Sequence, residues 1–344
     1  MSSPATDPPP LVPAGVASTV AATPQSGASS RVIAIGVLLG VVSAIGYTGT
    51  NIALRGVTRD GDPDWALWVT CFKSLPGALA AWFLVALRAS RGLQALPSAR
   101  AIGWLLAIGF AVQIGGNLLF QWSLAMCGLA LAVPTVFATL ILTGAMLGRT
   151  WLGEAITTRS SIAMGLLIAA IGLLGLGAEG AAAALPAGPK GVLPVLWVLS
   201  GVLLAAFSGV FYGVLGVIIR RTSRGEIPLS ATLALISTTG VVGLGAAAVV
   251  RLGPEILNAT TGEWWLMVIA GVLNAAAFFA ISGSLQRIPV VQVNLLNASQ
   301  AAMCAVGGVM IYGEPLSFAL VGGTALTIAG LVLMSRGSAT ATSE

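Results

Sequence analysis

The sequence GVLLGVVSAIGYTGTNIALR at residues 36–55 returns in related form as GVLLAAFSGVFYGVLGVIIR at residues 201–220. Seven of the twenty aligned positions are identical, whereas apolar composition alone would match about one position in ten. The identical pairs are Gly36/Gly201, Val37/Val202, Leu38/Leu203, Leu39/Leu204, Ser43/Ser208, Tyr47/Tyr212 and Arg55/Arg220. This similarity predicts that the chain contains an internal structural repeat.

A second set of matches extends the repeat along the chain. With a shift of 160 residues, Trp104 aligns with Trp264, and Gly153-Glu154 aligns with Gly313-Glu314. Internal repeats of membrane-spanning segments are typical of secondary transporters. The repeat therefore favours a membrane carrier.

The composition requires a lipid environment. The 344 residues are 57% hydrophobic and 8% charged, with a mean hydropathy of +0.97, whereas soluble domains carry about 25% charged residues. The net charge of +5 comes from basic residues at the ends of apolar segments, without a basic cluster that contains aromatic residues. This distribution indicates membrane orientation and does not indicate nucleic-acid binding.

Ten segments are apolar enough to cross a bilayer, which takes about 20 residues. In chain order they are Val32–Ala53, Trp65–Leu87, Ile102–Leu124, Leu129–Leu147, Ser161–Leu176, Leu193–Ile219, Leu229–Val250, Trp264–Leu285, Val290–Tyr312 and Phe318–Met334. The predicted organisation is a disordered cytoplasmic tail at 1–31, a first repeat at 32–177, a linker at 178–191, a second repeat at 192–335 and a cytoplasmic tail at 336–344.

The basic residues predict the orientation of these segments, because cytoplasmic loops are enriched in arginine and lysine. With the N-terminus in the cytoplasm, only Arg55, Arg59, Lys190 and Arg251 lie outside. The inside positions are Arg31, Arg88, Arg91, Arg100, Arg149, Arg159, Arg220, Arg221, Arg224, Arg287 and Arg336. Five spans per half then require opposite insertion of the halves. The predicted fold class is an all-α integral membrane protein with ten transmembrane helices, in two five-helix repeats of inverted topology.

The order of motifs in the two halves resembles a known family. The fourth segment closes with Leu152-Gly153-Glu154 and the ninth with Tyr312-Gly313-Glu314, and the spaced glycines that follow are Gly165 and Gly172, and Gly323 and Gly330. This order is similar to the two-domain EamA form of the drug/metabolite transporter (DMT) superfamily, over about residues 32–335. The resemblance implies a transporter of small organic metabolites in the inner membrane, with export as the expected direction.

Two positions depart from that family pattern. Residues 45–51 read IGYTGTN, where members often have Trp-Gly-Ser-Asn, and Lys73 stands where many have arginine. The resemblance therefore does not carry a substrate identity to this chain.

Other classes of function fit the sequence less well. The chain has no histidine, and no Asp or Glu falls in the middle of a predicted span, so the usual Ser-His and paired-Asp sites of an intramembrane enzyme cannot form. Cys71, Cys127 and Cys304 lack the spacing of a metal site or a disulfide framework. We predict no catalytic residue, metal or cofactor. A channel or facilitator remains an alternative, although no ring of charges or carbonyl loop is visible.

Polar side chains inside the predicted spans are candidates for substrate binding, because such groups are costly in a membrane. Gln113, Asn117 and Gln121 recur every four residues on one helix face, and Asn294, Asn297 and Gln300 recur every three. Asn274 lies in the eighth span. The alternative is that these amides only join helices to each other. The tentative binding set is Ser43, Tyr47, Lys73, Gln113, Asn117, Ser208, Tyr212, Asn274, Asn294 and Asn297.

Two features of that set carry competing interpretations. Tyr47 and Tyr212 occupy equivalent repeat positions and are expected to face a common centre, either around a substrate or as a packed pair. Lys73 lies nine residues after Asp64, about 13 Å into its helix. It holds either a substrate carboxylate or helix carbonyl groups.

Three further interpretations concern the ends and contacts of the spans. Glu154 and Glu314 are expected to stabilise the first turn of the helices that follow them. Gly36 and Gly40, like Gly209 and Gly213, have the spacing of close helix packing. The predicted function is alternating-access transport of small amphipathic solutes such as amino acids by a monomer or a homodimer.

Overall fold

The protein, represented by a computed structural model, is described over residues 30–59, 62–153, 158–176, 191–222 and 227–340. Regular structure in these ranges is helical throughout. The helices are α1 Ser30–Gly56, α2 Trp65–Ser90, α3 Ala99–Val112, α4 Leu119–Leu152, α5 Thr158–Leu176, α6 Pro194–Thr222, α7 Leu229–Thr239, α8 Gly245–Leu252, α9 Thr261–Arg287, α10 Val290–Tyr312 and α11 Phe318–Thr340. π-Helical segments Gln113–Leu118 and Gly240–Leu244 join α3 to α4 and α7 to α8, and a 3-10 helix, Gly253–Asn258, follows α8.

Seven helical stretches in the described ranges are long and apolar enough to cross a membrane, and Phe318–Gly330 is apolar but shorter. The seven are Arg31–Gly56, Trp65–Ser90, Ala99–Trp151, Pro194–Thr222, Leu229–Asn258, Thr261–Arg287 and Gln292–Tyr312. The prediction of an all-helical, multi-pass membrane protein is confirmed. The count of ten spans stays a prediction, because the third and fourth predicted segments join into one stretch of 53 residues.

A backbone break divides that long stretch. A continuous helix of 53 residues would extend about 80 Å, more than twice the thickness of the hydrocarbon core, about 30 Å. Gly128 inside α4 has φ 75° and ψ 175°, a conformation that is essentially open only to glycine. The break lies between the predicted third and fourth spans.

The repeated Gly-Glu motifs mark two helix ends. Gly153 follows α4 with φ 70°, and Gly313 follows α10 with φ 64°, so both glycines end their helices in the left-handed conformation. Glu154 lies outside the described residues, as do residues 1–29 of the predicted N-terminal tail, 178–190 of the predicted linker and 341–344 of the predicted C-terminal tail. The described helices extend slightly into the predicted tails, because α1 begins at Ser30 and α11 continues to Thr340.

Helices of the first half pack mainly against helices of the second half. α1 contacts α9 and α10, α6 contacts α4, and the pairs α2–α7, α4–α10 and α5–α11 also join the halves. Glycines allow the closest approaches, because an added Cβ at Gly213 would lie 2.8 Å from the Leu140 carbonyl and one at Gly36 would lie 2.8 Å from Ile288 Cγ2. The predicted close packing at these glycines is therefore present.

The outer surface carries large apolar side chains that a soluble protein would bury. Phe83 is 67% exposed, Leu203 61% and Val250 83%, whereas polar side chains such as Ser43, Gln113 and Asn297 are buried inside the bundle. This inverted distribution matches a helical bundle whose outside faces lipid. The interior polar groups surround the cavity described next.

Candidate substrate-binding cavity

A cavity of about 150 Å³ lies at the centre of the bundle. Its wall is formed by α1, α2, α3, α4, α6, α7, α9 and α10, together with the π-helical segment before α4. Seven of the ten predicted binding residues line it: Tyr47, Lys73, Asn117, Tyr212, Asn274, Asn294 and Asn297. Both repeat tyrosines face this common space, as the symmetry of the repeat predicts.

A hydrogen-bonded chain fixes one side of the cavity. Lys73 Nζ donates to Asn117 Oδ1 at 2.5 Å, and the Tyr212 hydroxyl donates to the same oxygen at 2.8 Å. Asn117 Nδ2 donates to Gln113 Oε1 at 2.8 Å, and Gln113 Nε2 donates to the Ile236 carbonyl at 3.1 Å. These bonds hold Asn117 in one orientation and place the lysine at the cavity wall.

The π-helical segment Gln113–Leu118 brings this chain together. Its glycines admit aromatic rings from α6: Gly115 lies against Phe211, and an added Cβ at Gly116 would lie 3.1 Å from Tyr212 Cε1. π-Helical turns occur frequently at functional sites. Here the irregular turn lets Tyr212 reach Asn117 while Gln113 reaches α7.

Three predicted residues lie behind the cavity wall and support it. Ser43 Oγ donates to Asn297 Oδ1 at 2.9 Å, Ser208 Oγ donates to the Gly116 carbonyl at 2.8 Å, and Gln113 occupies the chain described above. Gln121 donates to the Leu54 carbonyl at 3.3 Å and joins two helices outside the cavity. Of the predicted stripe of amides, Asn117 therefore lines the cavity, whereas Gln113 and Gln121 bond to other helices.

Some polar groups of the cavity wall have no hydrogen-bond partner among the described residues. The Tyr47 hydroxyl and the amides of Asn274 and Asn294 line the cavity, and no hydrogen bond joins them to other described residues. Asn297, in contrast, accepts from Ser43 and from Gln300 Nε2 at 2.8 Å. The free groups are those that a solute could bind without breaking internal bonds.

Sequence reasoning missed several lining residues. Thr50, Asn51, Ser74 and Ser237 contribute polar groups, and Phe120, Phe137 and Phe278 contribute aromatic rings. Asn51 lies four residues after Tyr47 on one face of α1, a spacing that could have found it. Ser74 and Ser237 have no comparable sequence signal, because single serines are common in transmembrane helices.

The cavity extends toward one end of the bundle. Ile219 lies three residues before the end of α6, Leu285 two residues before the end of α9, and Asn294 four residues after the start of α10. We call this end, where α9 ends and α10 begins, the cavity face. Toward it, apart from Asn294, the wall is apolar, with Val136, Leu140, Leu215, Ile219, Ile281 and Leu285.

The opposite end of the bundle carries three ion pairs of the described residues, and we call it the ion-paired face. Arg55 Nε lies 3.0 Å from Glu314 Oε1, and Arg251 Nη2 lies 3.1 Å from Asp64 Oδ2. Arg59 donates twice to Glu263, at 2.8 and 3.0 Å. Each of these pairs joins a residue of the first half to a residue of the second half.

Aromatic side chains reinforce the ion-paired face. The Arg59 guanidinium carbon lies 3.4 Å from the centroid of the Trp65 ring, a cation–π contact. Trp68, Phe72 and Trp264 form a mutual cluster with centroids 5.5–6.2 Å apart. Ion pairs and aromatic contacts therefore occur together at this end of the bundle.

The comparisons with known proteins agree with this architecture. Residues 199–336 match the EamA-like transporter family, so the predicted resemblance to that family is confirmed over this part of the chain. A solved crystal structure of a protein aligns with a TM-score of 0.57 and 19% identity, over 87% of this chain and 94% of the other. At that identity the likeness is one of fold alone. No curated protein matches the chain significantly.

Proposed function

We propose that the protein is a secondary transporter of small amphipathic organic metabolites, amino acids being one candidate class, that works by alternating access in the inner membrane. The observation that carries this proposal is a central cavity with fixed polar groups, with ion pairs between the two halves at the opposite end of the bundle. A carrier needs a site near the bilayer midplane that is open to one side at a time. The family match supports transport as the class of function.

We propose further that the fold comprises ten spans in two inverted repeats of five. The Gly128 break supports the division of Ala99–Trp151 into two spans. The helix contacts also support two repeats. α1 and α6 hold equivalent positions in the two repeats, and α1 contacts α9 and α10, whereas α6 contacts the stretch from Gln113 to Leu152. A two-fold arrangement of this kind relates each half to the other.

A transport assay with two cavity variants tests the carrier proposal. Gly216 lines the cavity, and neither Gly216 nor the lipid-exposed Gly103 has a heavy atom within 4 Å of an added Cβ. Gly216→Trp should fill the cavity without disturbing its neighbours, and Gly103→Trp is the matched control on the outer surface. Labelled phenylalanine and 3-phenylpropionate serve as probes in proteoliposomes.

We expect wild type and Gly103→Trp to give saturable uptake of at least one probe and a transient overshoot in counterflow, and Gly216→Trp to give neither. Uptake that stays linear with concentration and lacks counterflow would favour the channel or facilitator alternative. Flux equal to that of empty liposomes for both probes would contradict the proposed function. Export as the physiological direction follows only from the family resemblance.

A further inference from the structure

We infer that the cavity binds a monoanionic solute, whose carboxylate lies on Lys73 and whose apolar part extends toward the cavity face. The inference rests on the proposed transport function and names the substrate class of the same site. Lys73 is 4% exposed and lines the cavity. A buried ammonium is costly unless an anion or several acceptors compensate it.

No carboxylate of the described residues compensates this charge. The described acidic residues are Asp62, Asp64, Glu255, Glu263 and Glu314, and they all belong to the ion-paired face. Among the described residues that line the cavity, one is a cation and none is an acid. The structure therefore leaves one positive charge that a bound solute can neutralise.

The hydrogen bonding of Lys73 leaves donors for that solute. An ammonium has three N–H donors, and among the described residues the only acceptor it reaches is the neutral Asn117 Oδ1. That oxygen also accepts a hydrogen bond from Tyr212. Asn117 therefore positions the lysine side chain but does not neutralise its charge. A structural tie to helix carbonyls, the competing interpretation, is not formed by the described groups.

The remaining wall favours a single negative group on an apolar body. Beyond the polar band, the solute meets Leu140, Leu215, Ile219, Ile281 and Leu285. No described lining residue offers a carboxylate to an ammonium group on the solute. A monocarboxylate with an alkyl or aryl body therefore fits this wall better than a zwitterion does.

Binding of a matched series to the purified protein tests the inference. The series is 3-phenylpropionate, its neutral amide, phenylalanine and phenethylamine, which share one ring and differ in charge. Affinity is measured by calorimetry and by thermal stabilisation at constant chloride. We expect 3-phenylpropionate to bind at least about tenfold more tightly than each of the other three, the scale of one charge-assisted hydrogen bond.

Variants assign that preference to the lysine. Lys73→Met should abolish it, and Lys73→Arg should retain it. Asn117→Asp should also abolish it while the protein stays folded, because it gives Lys73 an internal anion of the same shape. Arg88→Gln, near the end of the same helix and partly exposed, is the control for loss of a positive charge and should behave like wild type.

Each contrary result is distinct. The monoanion assignment would be overturned if the acid and the amide bound equally, if phenylalanine bound more tightly than 3-phenylpropionate, or if no member bound. It would also be overturned if Lys73→Met or Asn117→Asp left the affinity for the acid unchanged. Saturable counterflow of phenylalanine would still leave the carrier proposal intact. Absence of counterflow for a member that binds would instead overturn the carrier proposal and leave the assignment standing.

Discussion

At the scale of single residues, Glu314 shows how far a side chain can act from its own helix. The sequence predicted that it stabilises the first turn of the following helix. In the structure its carboxylate instead accepts from the backbone of Leu129 at 2.7 Å and Ala130 at 2.6 Å, and pairs with Arg55. It therefore caps the helical segment that begins after the Gly128 break, which corrects the sequence interpretation.

We predict that Glu314→Gln destabilises the protein by about 3 kcal/mol, the scale of removing one partner from a buried ion pair. The Arg55 and Glu314 side chains are only 11% and 3% exposed, so the arginine would be left with an uncompensated charge. Thermal unfolding in detergent measures the effect. The control Glu255→Gln removes an exposed carboxylate near the same face and should change stability by less than about 0.5 kcal/mol. Equal stability of the two variants would contradict the capping role.

Periodicity predicted the polar lining, because amides every three or four residues must share a helix face. It could not separate Asn117, which lines the cavity, from Gln113 and Gln121, which bond to other helices. That distinction depends on the partner helices and on the irregular turn at Gln113–Leu118. Long-range contacts such as Leu129 with Glu314 leave no pattern in the local sequence.

At the scale of helices, the Gly128 break decides how α4 crosses the bundle. Apolar segmentation placed a boundary between Leu124 and Leu129, and the backbone break at Gly128 lies between these two residues. The conformation of the glycine was not predictable, because an apolar loop of a few residues permits several geometries. The cap from Glu314 compensates the backbone amides that the break exposes.

We predict that Gly128→Ala destabilises the protein by about 1–3 kcal/mol, because its φ and ψ are strained for any residue with a Cβ. The added Cβ would also lie 2.8 Å from Glu314 Oε1. Gly103→Ala in α3 meets nothing within 4 Å and should stabilise by about 0.5–1 kcal/mol. The two midpoints of unfolding should therefore move in opposite directions. A shift of Gly128→Ala in the same direction as Gly103→Ala would contradict the break.

At the scale of the whole molecule, the described ion pairs gather at one face and each joins the two halves. The cavity extends toward the other face. Sequence alone predicted the repeat and the basic residues at span ends, but not which acidic residues would pair with them. An inward-facing arrangement follows if the cavity face is cytoplasmic, as the arginine distribution predicts.

We predict that reporters fused at residues 30 and 340 both lie in the cytoplasm and that a reporter inserted at residue 185 lies on the opposite side. An odd number of spans in each half requires this pattern. Alkaline phosphatase and fluorescent-protein fusions measure it. A cytoplasmic reporter at residue 185 would contradict the inverted repeat, and opposite locations of the two termini would contradict an even total.

Alternating access is tested most directly by the reactivity of one thiol from the two sides of the membrane. Gly216→Cys places the thiol in the cavity wall, in a background where Cys71, Cys127 and Cys304 are replaced by alanine. A membrane-impermeant thiol reagent is applied to either side. We predict that the thiol is labelled faster from the cytoplasmic side. Arg59→Gln should raise the labelling rate from the opposite side and lower the rate from the cytoplasmic side, so that the ratio of the two rates changes about fivefold. The control Glu255→Gln should leave both labelling rates unchanged. Alternating access would be contradicted if both rates rose together in Arg59→Gln, or if neither the protein with Arg59 nor the Arg59→Gln variant were labelled from the outside.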